Sequence, residues 1–398
     1  MSDCCYLYID FSVLFIIIIS MKKIIYRLIK ISALGLAVLA TLFLLQRYIL
    51  CHQDHNRLRL DGFYLEEKDS LDVVFTGASE SYSDFSPGLA YEKFGFTSYP
   101  YASASVTAGA AVTQIKEILR TQSPQLIVME INPFLYPDDS NEKNEGSIRN
   151  YIDNVPLNQN KIDYIKSLNT ENELEYFIPV IKYHDCWTEY PGGIKFLGAQ
   201  LIQDFRGYTL LKGYKSNTFS CSEEGYLNSR LINDTKEVPL TADSETKLKE
   251  LLKFLNDNDI KNVLFIRAPH LIRQNDYECF CMANYAGNII KEYGFDFINF
   301  ERDEVTMNYP ASDYYNIQHL NIYGSEKFTE YFGSILTKQY GVQQTAKTAA
   351  QQQQWQKASA YYHAFYLCCK DKMNSGINME INEDLIGINE IKKYETNG

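Results

Sequence analysis

Three short apolar runs constrain this chain more than any other feature. Leu71–Phe75, Leu126–Ile131 and Val263–Ile266 are each bounded by polar or turn residues, as strands buried on both faces of a parallel sheet require. Between them, Val112–Arg120 and Ser244–Asn256 carry apolar residues at helical spacing. The stretch SETKLKELLKFLNDNDIKNVLFI reads helix, turn, strand, and MANYAGNIIKEYGFDFINF repeats that order. Such alternation predicts an α/β fold over residues 70–340, a parallel sheet with helices on both faces. Residues 140–240 are less periodic and richer in polar and aromatic residues, and read as an insertion or cap. The tail, 342–398, contains QQTAKTAAQQQQWQKASAYY. Its glutamine-rich composition predicts a low-complexity segment, disordered or loosely helical and dispensable for folding.

The first run leaves its strand through FTGASESYSD, residues 75–84. Two readings compete for this stretch. Ser and Asp suit helix N-caps, so a plain strand-to-helix loop explains it. Alternatively, Ser79 is a nucleophile held at the carboxyl end of a parallel strand. Glu80, in the first turn of the following helix, suits the helix dipole. Among six histidines, His52 and His55 lie beside the amino-terminal apolar helix and His363 in the tail. His184 (KYHDCW), His270 (RAPH) and His319 (DYYNIQHLN) remain as partners inside the domain. His184, Asp185 and Trp187 could stack on a sugar, though packing accounts for them as well.

VVFTGASESYSDFSP, SYPYASAS about twenty residues later, and DYYNIQHLN near the end of the domain together resemble the SGNH/GDSL hydrolase superfamily. More narrowly, they are similar to its membrane-anchored branch that includes the DltD-type teichoic-acid D-alanylation proteins. The resemblance covers roughly residues 70–340 and implies a three-layer SGNH/flavodoxin-like sheet. It implies Ser79 as nucleophile and His319 as general base, since a serine hydroxyl needs a base within hydrogen-bond reach to attack an acyl carbon. It also implies an oxyanion hole from the Ser79 N–H, Ala102 or Ser103 at the family's glycine position, and Asn132 in MEINP. The chain departs from the family at the acid: three residues before His319 stands Asn316, which accepts a hydrogen bond but carries no charge. Asp313 substitutes, or the site works as a Ser–His dyad, or catalysis is lost. The resemblance implies an acyl esterase or acyltransferase working on acylated envelope glycans or teichoic-acid-like polymers, beside a membrane-bound O-acyltransferase. A noncatalytic SGNH-like binding or assembly protein is the alternative.

Ahead of the domain, Lys22, Lys23, Arg27 and Lys30 precede the uncharged run Ile31–Leu45. With Leu28 and Ile29 added and Lys30 snorkelling, one membrane span over about 28–48 is predicted. The basic flank predicts a cytoplasmic amino end and a domain outside the cell membrane. No A-x-A-like cleavage site follows the run, so an uncleaved single-pass anchor over 21–50 is preferred to a signal peptide. Residues 1–20, with a run too short to span, read as an upstream extension. A net charge of −12 without a basic patch excludes a nucleic-acid partner. No phosphate-cradling glycine loop and no paired CxxC at zinc spacing occur, so neither a cofactor nor a metal is expected. Seven of the nine cysteines follow the anchor, so at least one has no intrachain partner. Most read as small apolar side chains.

Overall fold

The computed structural model describes residues 11–48, 54–135, 144–185, 190–222 and 224–395. It divides into two compact units, Met1–His52 with Pro179–Glu189, and Gln53–Ile178 with Tyr190–Gly398. In the first, helix α1 runs unbroken over Phe11–Tyr48. Its Ile18–Tyr48 portion is long and apolar enough to cross a membrane. Phe11–Ser20 continues that helix, so Met21 marks no structural boundary.

The second unit is α/β. After helix α2 (His55–Leu65) come β1 (Val73–Gly77), the single turn α3 (Glu80–Ser83), α4 (Pro87–Phe94) and β2 (Ser98–Ala102). Then follow α5 (Ala111–Thr121), β3 (Leu126–Glu130), the short β4 (Ser216–Asn217), β5 (Val263–Arg267) and β6 (Asp296–Asn299). Strands β2-β1-β3-β5-β6 form one sheet in that order, every pair parallel. Alternate residues feed two cores. Val74, Ile127, Met129 and Phe265 pack with the helices Ala111–Thr121, Ala242–Asp257 and Tyr277–Glu292. Val73, Phe75, Val128 and Leu264 pack with Phe328, Phe332 and Leu336 of the helix Ile322–Lys338. The sheet is thus covered by helices on both faces. Because the chain steps outward from β1 to β2 and then returns to place β3 on β1's other side, the strand order reverses there. Doubly wound sheets bind ligands outside the carboxyl ends of the strands at such a reversal, here β1 and β3.

The edge strand β2 is not an apolar run. Pro100 cannot donate to a ladder, which confines it to a sheet edge, and β2 pairs with β1 alone. Tyr99 and Tyr101 supply its buried bulk.

The tail departs from expectation. Ala349–Asn374 form a 26-residue helix. Thr348 Oγ1 accepts from the Gln351 N–H while Gln351 Oε1 accepts from the Thr348 N–H, a reciprocal cap that uses the first glutamine of the run. Trp355, Ala358, Tyr361, Tyr362, Phe365, Cys368 and Cys369 are buried at helical spacing, and Gln352, Gln353 and Gln356 are exposed on the other face. The helix crosses α4 so closely that a Cβ on Gly88 would lie 3.1 Å from the Ala358 carbonyl oxygen. Ahead of it, Lys347, whose side chain is buried, and the exposed Thr345 bind Asp72 just before β1, at 3.0 and 2.5 Å. Residues 349–374 are therefore packed structure, not a loose tail. Among the described residues, Cys221, Cys279, Cys281, Cys368 and Cys369 are free thiols.

Candidate active site

Each strand of the sheet delivers its next residues to one edge. Gly77, the last residue of β1, holds φ at +122°, and a Cβ there would lie 2.7 Å from the Glu130 carbonyl oxygen of β3. Only glycine fits that turn. Past it, the serines separate by their partners. Ser81 Oγ donates to the Thr76 carbonyl at 2.9 Å, and Ser83 Oγ to the Ser79 carbonyl at 2.9 Å. Ser79, whose side chain makes no capping bond, instead places Oγ 2.7 Å from His319 Nε2. The capping reading of Ser79 does not hold.

His319 comes from the antiparallel hairpin of β7 (Tyr314–Asn316) and β8 (His319–Leu320). Asn316 Oδ1 accepts from the backbone N–H of Gln318 and of His319, at 2.9 and 3.0 Å, which identifies that atom as the oxygen. It also lies 2.9 Å from His319 Nδ1. An amide oxygen can only accept, so Nδ1 carries the proton and Nε2 offers its lone pair to the Ser79 hydroxyl. Tyr315 stacks on the imidazole, with ring centroids 5.1 Å apart and a 7° tilt. Asp84 Oδ1 accepts from the Leu320 N–H at 3.0 Å, tying the residue after His319 to the turn that carries Ser79.

The pattern around His319 has further causes. Asn321 caps the helix Ile322–Lys338, accepting from the N–H groups of Tyr323 and Gly324. A Cβ on Gly324 would stand 2.2 Å from the Asp313 carbonyl oxygen, so glycine lets the helix approach. Asp313 does not substitute for the missing acid. Its Oδ2 accepts from Lys327 Nζ at 2.7 Å, and it makes no hydrogen bond to His319. A carboxylate already neutralised by a lysine, and pointed at another helix, cannot orient the imidazole.

Of the expected oxyanion donors, the Ser79 N–H precedes the first intrahelical bond of its turn and so has no helical acceptor. Ser103 follows the end of β2, fully buried, with an Oγ that finds no hydrogen-bond partner among the described residues. Asn132 lies past the end of β3, but its side chain is engaged. Its Nδ2 donates to Glu80 Oε1 at 2.5 Å and its Oδ1 accepts from Arg267 Nη1 at 2.5 Å. The amide serves a buried charge network rather than standing open to a substrate.

That network was not foreseen from the sequence. Arg267 Nε donates to Glu301 Oε1 at 2.9 Å, and its Nη1 lies 3.6 Å from Glu130 Oε1. His270 sits between two carboxylates, with Nδ1 3.1 Å from Glu301 Oε1 and Nε2 3.4 Å from Glu80 Oε1. Burial and Arg267 push the His270 pKa down, but its bonds to Glu301 and Glu80 outweigh them and raise it to about 9. Burial alone would raise the Glu80 carboxyl; the His270 hydrogen bond and nearby positive charge overcome it and hold Glu80 ionised. Burial, with the Glu80 charge, raises the Glu130 carboxyl well above the usual carboxylate range. Two anions thus face two cations, and the neutral Glu130 adds no charge. The available signal was position: Glu80, Asn132, Arg267, His270 and Glu301 all lie at or just past strand carboxyl ends, the edge where α/β sheets gather ligand groups. His184 bonds the Ile181 carbonyl through Nδ1 at 2.8 Å, and Trp187 lies outside the described residues.

Burial pushes the His319 pKa down to about 4, with Glu80 raising it and His270 and Lys215 lowering it further. The His319 imidazole is therefore neutral throughout the range above pH 5. Inactivation by a serine-directed fluorophosphonate is expected to be flat between about pH 6 and 8 and to fall only as pH drops towards 4. Asn316→Asp should place a carboxylate on the same three donors, raise the imidazole pKa and move that acid limb upward. Because Asn316 is solvent-exposed, screening limits the gain to about 10–100-fold, short of the ~10⁴ that a buried triad aspartate is worth. An unmoved limb and unchanged rate in this variant would show that the charge at 316 is irrelevant.

No family model, no curated protein and no solved structure matches the chain.

Proposed function

We propose that the protein is a membrane-anchored, extracytoplasmic serine acyl esterase or O-acyltransferase of SGNH type. The reading takes acylated envelope polysaccharide or a teichoic-acid-like polymer as substrate. The observation that carries it is the 2.7 Å contact between Ser79 Oγ and His319 Nε2, with Asn316 selecting the tautomer that accepts. Support for the family comes from FTGASESYSD and DYYNIQHLN. Counted by sheet strand, the order is also the flavodoxin-like 2-1-3-4-5. The apolar helix Ile18–Tyr48 and its basic residues support the anchor and its orientation.

In this reading, His319 Nε2 takes the Ser79 proton as Oγ bonds to the acyl carbon, and the carbonyl π pair moves onto its oxygen. The Ser79 N–H faces that oxyanion. Collapse expels the sugar oxygen, which receives the proton from Nε2 and leaves acyl-Ser79. Water or a second sugar hydroxyl then attacks the acyl carbon, giving its proton to Nε2, and Ser79 departs with that proton. A membrane-bound O-acyltransferase as neighbour is part of the same reading.

One observation favours the noncatalytic alternative. An ionised Glu80 stands beside Ser79, and the Asn132 amide is turned to it, so the oxyanion would form near a negative charge. The full chain in detergent, treated with a fluorophosphonate, decides between them. The enzyme reading expects one adduct per folded chain, on the peptide carrying Ser79, and none after heat denaturation. A folded protein that takes no adduct supports a binding or assembly role.

A further inference from the structure

Asn316 orients the imidazole but offers no charge, so a proton moved onto His319 needs a counter-ion from elsewhere. From the bonding around Ser79 we infer that Glu80 is that counter-ion: a positioning carboxylate on the serine side of the imidazole that does the electrostatic work of a triad acid. Ser79 Oγ touches both groups, His319 Nε2 at 2.7 Å and Glu80 Oε2 at 3.4 Å. The carboxylate is buried and built in. Its other oxygen accepts from Asn132 at 2.5 Å and faces His270 at 3.4 Å. In such surroundings a charge acts at far lower screening than at the exposed position 316.

Glu80 is not itself the base. Its contact to Ser79 is the longer one, and a carboxylate held ionised by its His270 hydrogen bond and nearby positive charge is a poor proton acceptor. The remaining charged neighbours set the sign of the balance. From its own turn, Asp84 is buried with its carboxyl raised towards the neutral form, by burial and then by Glu80. From β3 comes Glu130, raised likewise. From the loop after β5 and the turn after β6 come His270 and Glu301, which with Arg267 sum to one positive charge. Lys215, facing Tyr82, is paired with Glu380. Glu80 is the anion that meets the imidazole's own partner, Ser79 Oγ, and the positive charges behind it keep it ionised.

The inference rests on the serine-hydrolase reading, but its decisive readout needs no turnover. In Asn316→Asp protein, where the imidazole titrates within an accessible range, the His319 ring is followed by NMR against pH with and without Glu80→Gln. Removing the counter-charge is expected to lower the ring midpoint by about one pH unit, equivalent to tenfold, while Glu80→Asp keeps it within a few tenths. In the parent, Glu80→Gln should slow fluorophosphonate inactivation by about tenfold or more, and adding Asn316→Asp should restore it. An unmoved midpoint in a folded Glu80→Gln protein overturns the proposal. Should that variant not fold, the Glu80 carboxyl carbon of the unmodified chain serves: a protonated signal at pH 7 overturns it equally. If the parent takes no adduct yet the midpoint moves, the enzyme reading fails and the counter-ion stands.

Discussion

Ser79→Ala is expected to abolish fluorophosphonate labelling and any ester turnover with the fold intact, and His319→Ala to slow both by about 10⁴-fold or more. The loss follows from the bond being broken: without Nε2, Ser79 has no acceptor nearer than Glu80 Oε2 at 3.4 Å, a weak base. The fold should survive because neither side chain closes the local structure. Ser79 makes no cap, and its hydroxyl bonds only groups of the site. Without the imidazole, Asn316 still accepts from two backbone N–H groups, and Asp84 still holds the Leu320 N–H. A melting temperature within a few degrees of the parent, with labelling gone, is the expected pair of results. Stoichiometric labelling of the Ser79→Ala protein would place the reactive serine elsewhere and sink the assignment.

Ending the chain after Tyr340 is expected to prevent stable folding. The deletion removes buried Trp355, Tyr362 and Phe365, side chains whose individual truncation costs about 3–5 kcal/mol each. Against a typical total stability of 5–15 kcal/mol, that loss alone is decisive. It also uncovers Leu89, Tyr214 and Ile322, which pack against that helix. Buried Lys212, whose Nζ sits 4.6 Å from the Trp355 ring, keeps Glu66 but loses its cover. Asp72 loses Lys347 and Thr345. Circular dichroism on heating checks this: a cooperative melt within a few degrees of the full chain would show the tail to be an accessory.

The tail also shows how a sequence is misread. Averaged composition over QQTAKTAAQQQQWQKASAYY is polar, and that average predicts no core. The periodic signal was present in Trp355, Ala358, Tyr361 or Tyr362, Phe365 and Cys368, at steps of three and four. An amphipathic helix is defined by where its apolar residues fall, not by how many there are. Strand β2 was hidden for the converse reason: Pro100 speaks against a strand in general, yet is admissible at the edge this strand occupies.

The amino-acid sequence by itself determined the α/β class, four of the five sheet strands, the apolar amino-terminal helix and the pair Ser79 and His319, because these rest on local period or on short ordered motifs. It also identified Asn316 as the neutral residue three before His319. Which charged groups gather around that pair was decided only by the tertiary structure. Asp313 is near His319 in the chain, but Lys327 binds it from the next helix. Glu80 reads locally as a first-turn acid, yet its carboxylate is bonded by Asn132 and kept ionised by His270, 52 and 190 residues away. Sequence spacing reports what a residue does to its own helix or strand. The charge state of a buried group depends on every element that packs against it, and those elements meet only when the sheet closes them around one edge.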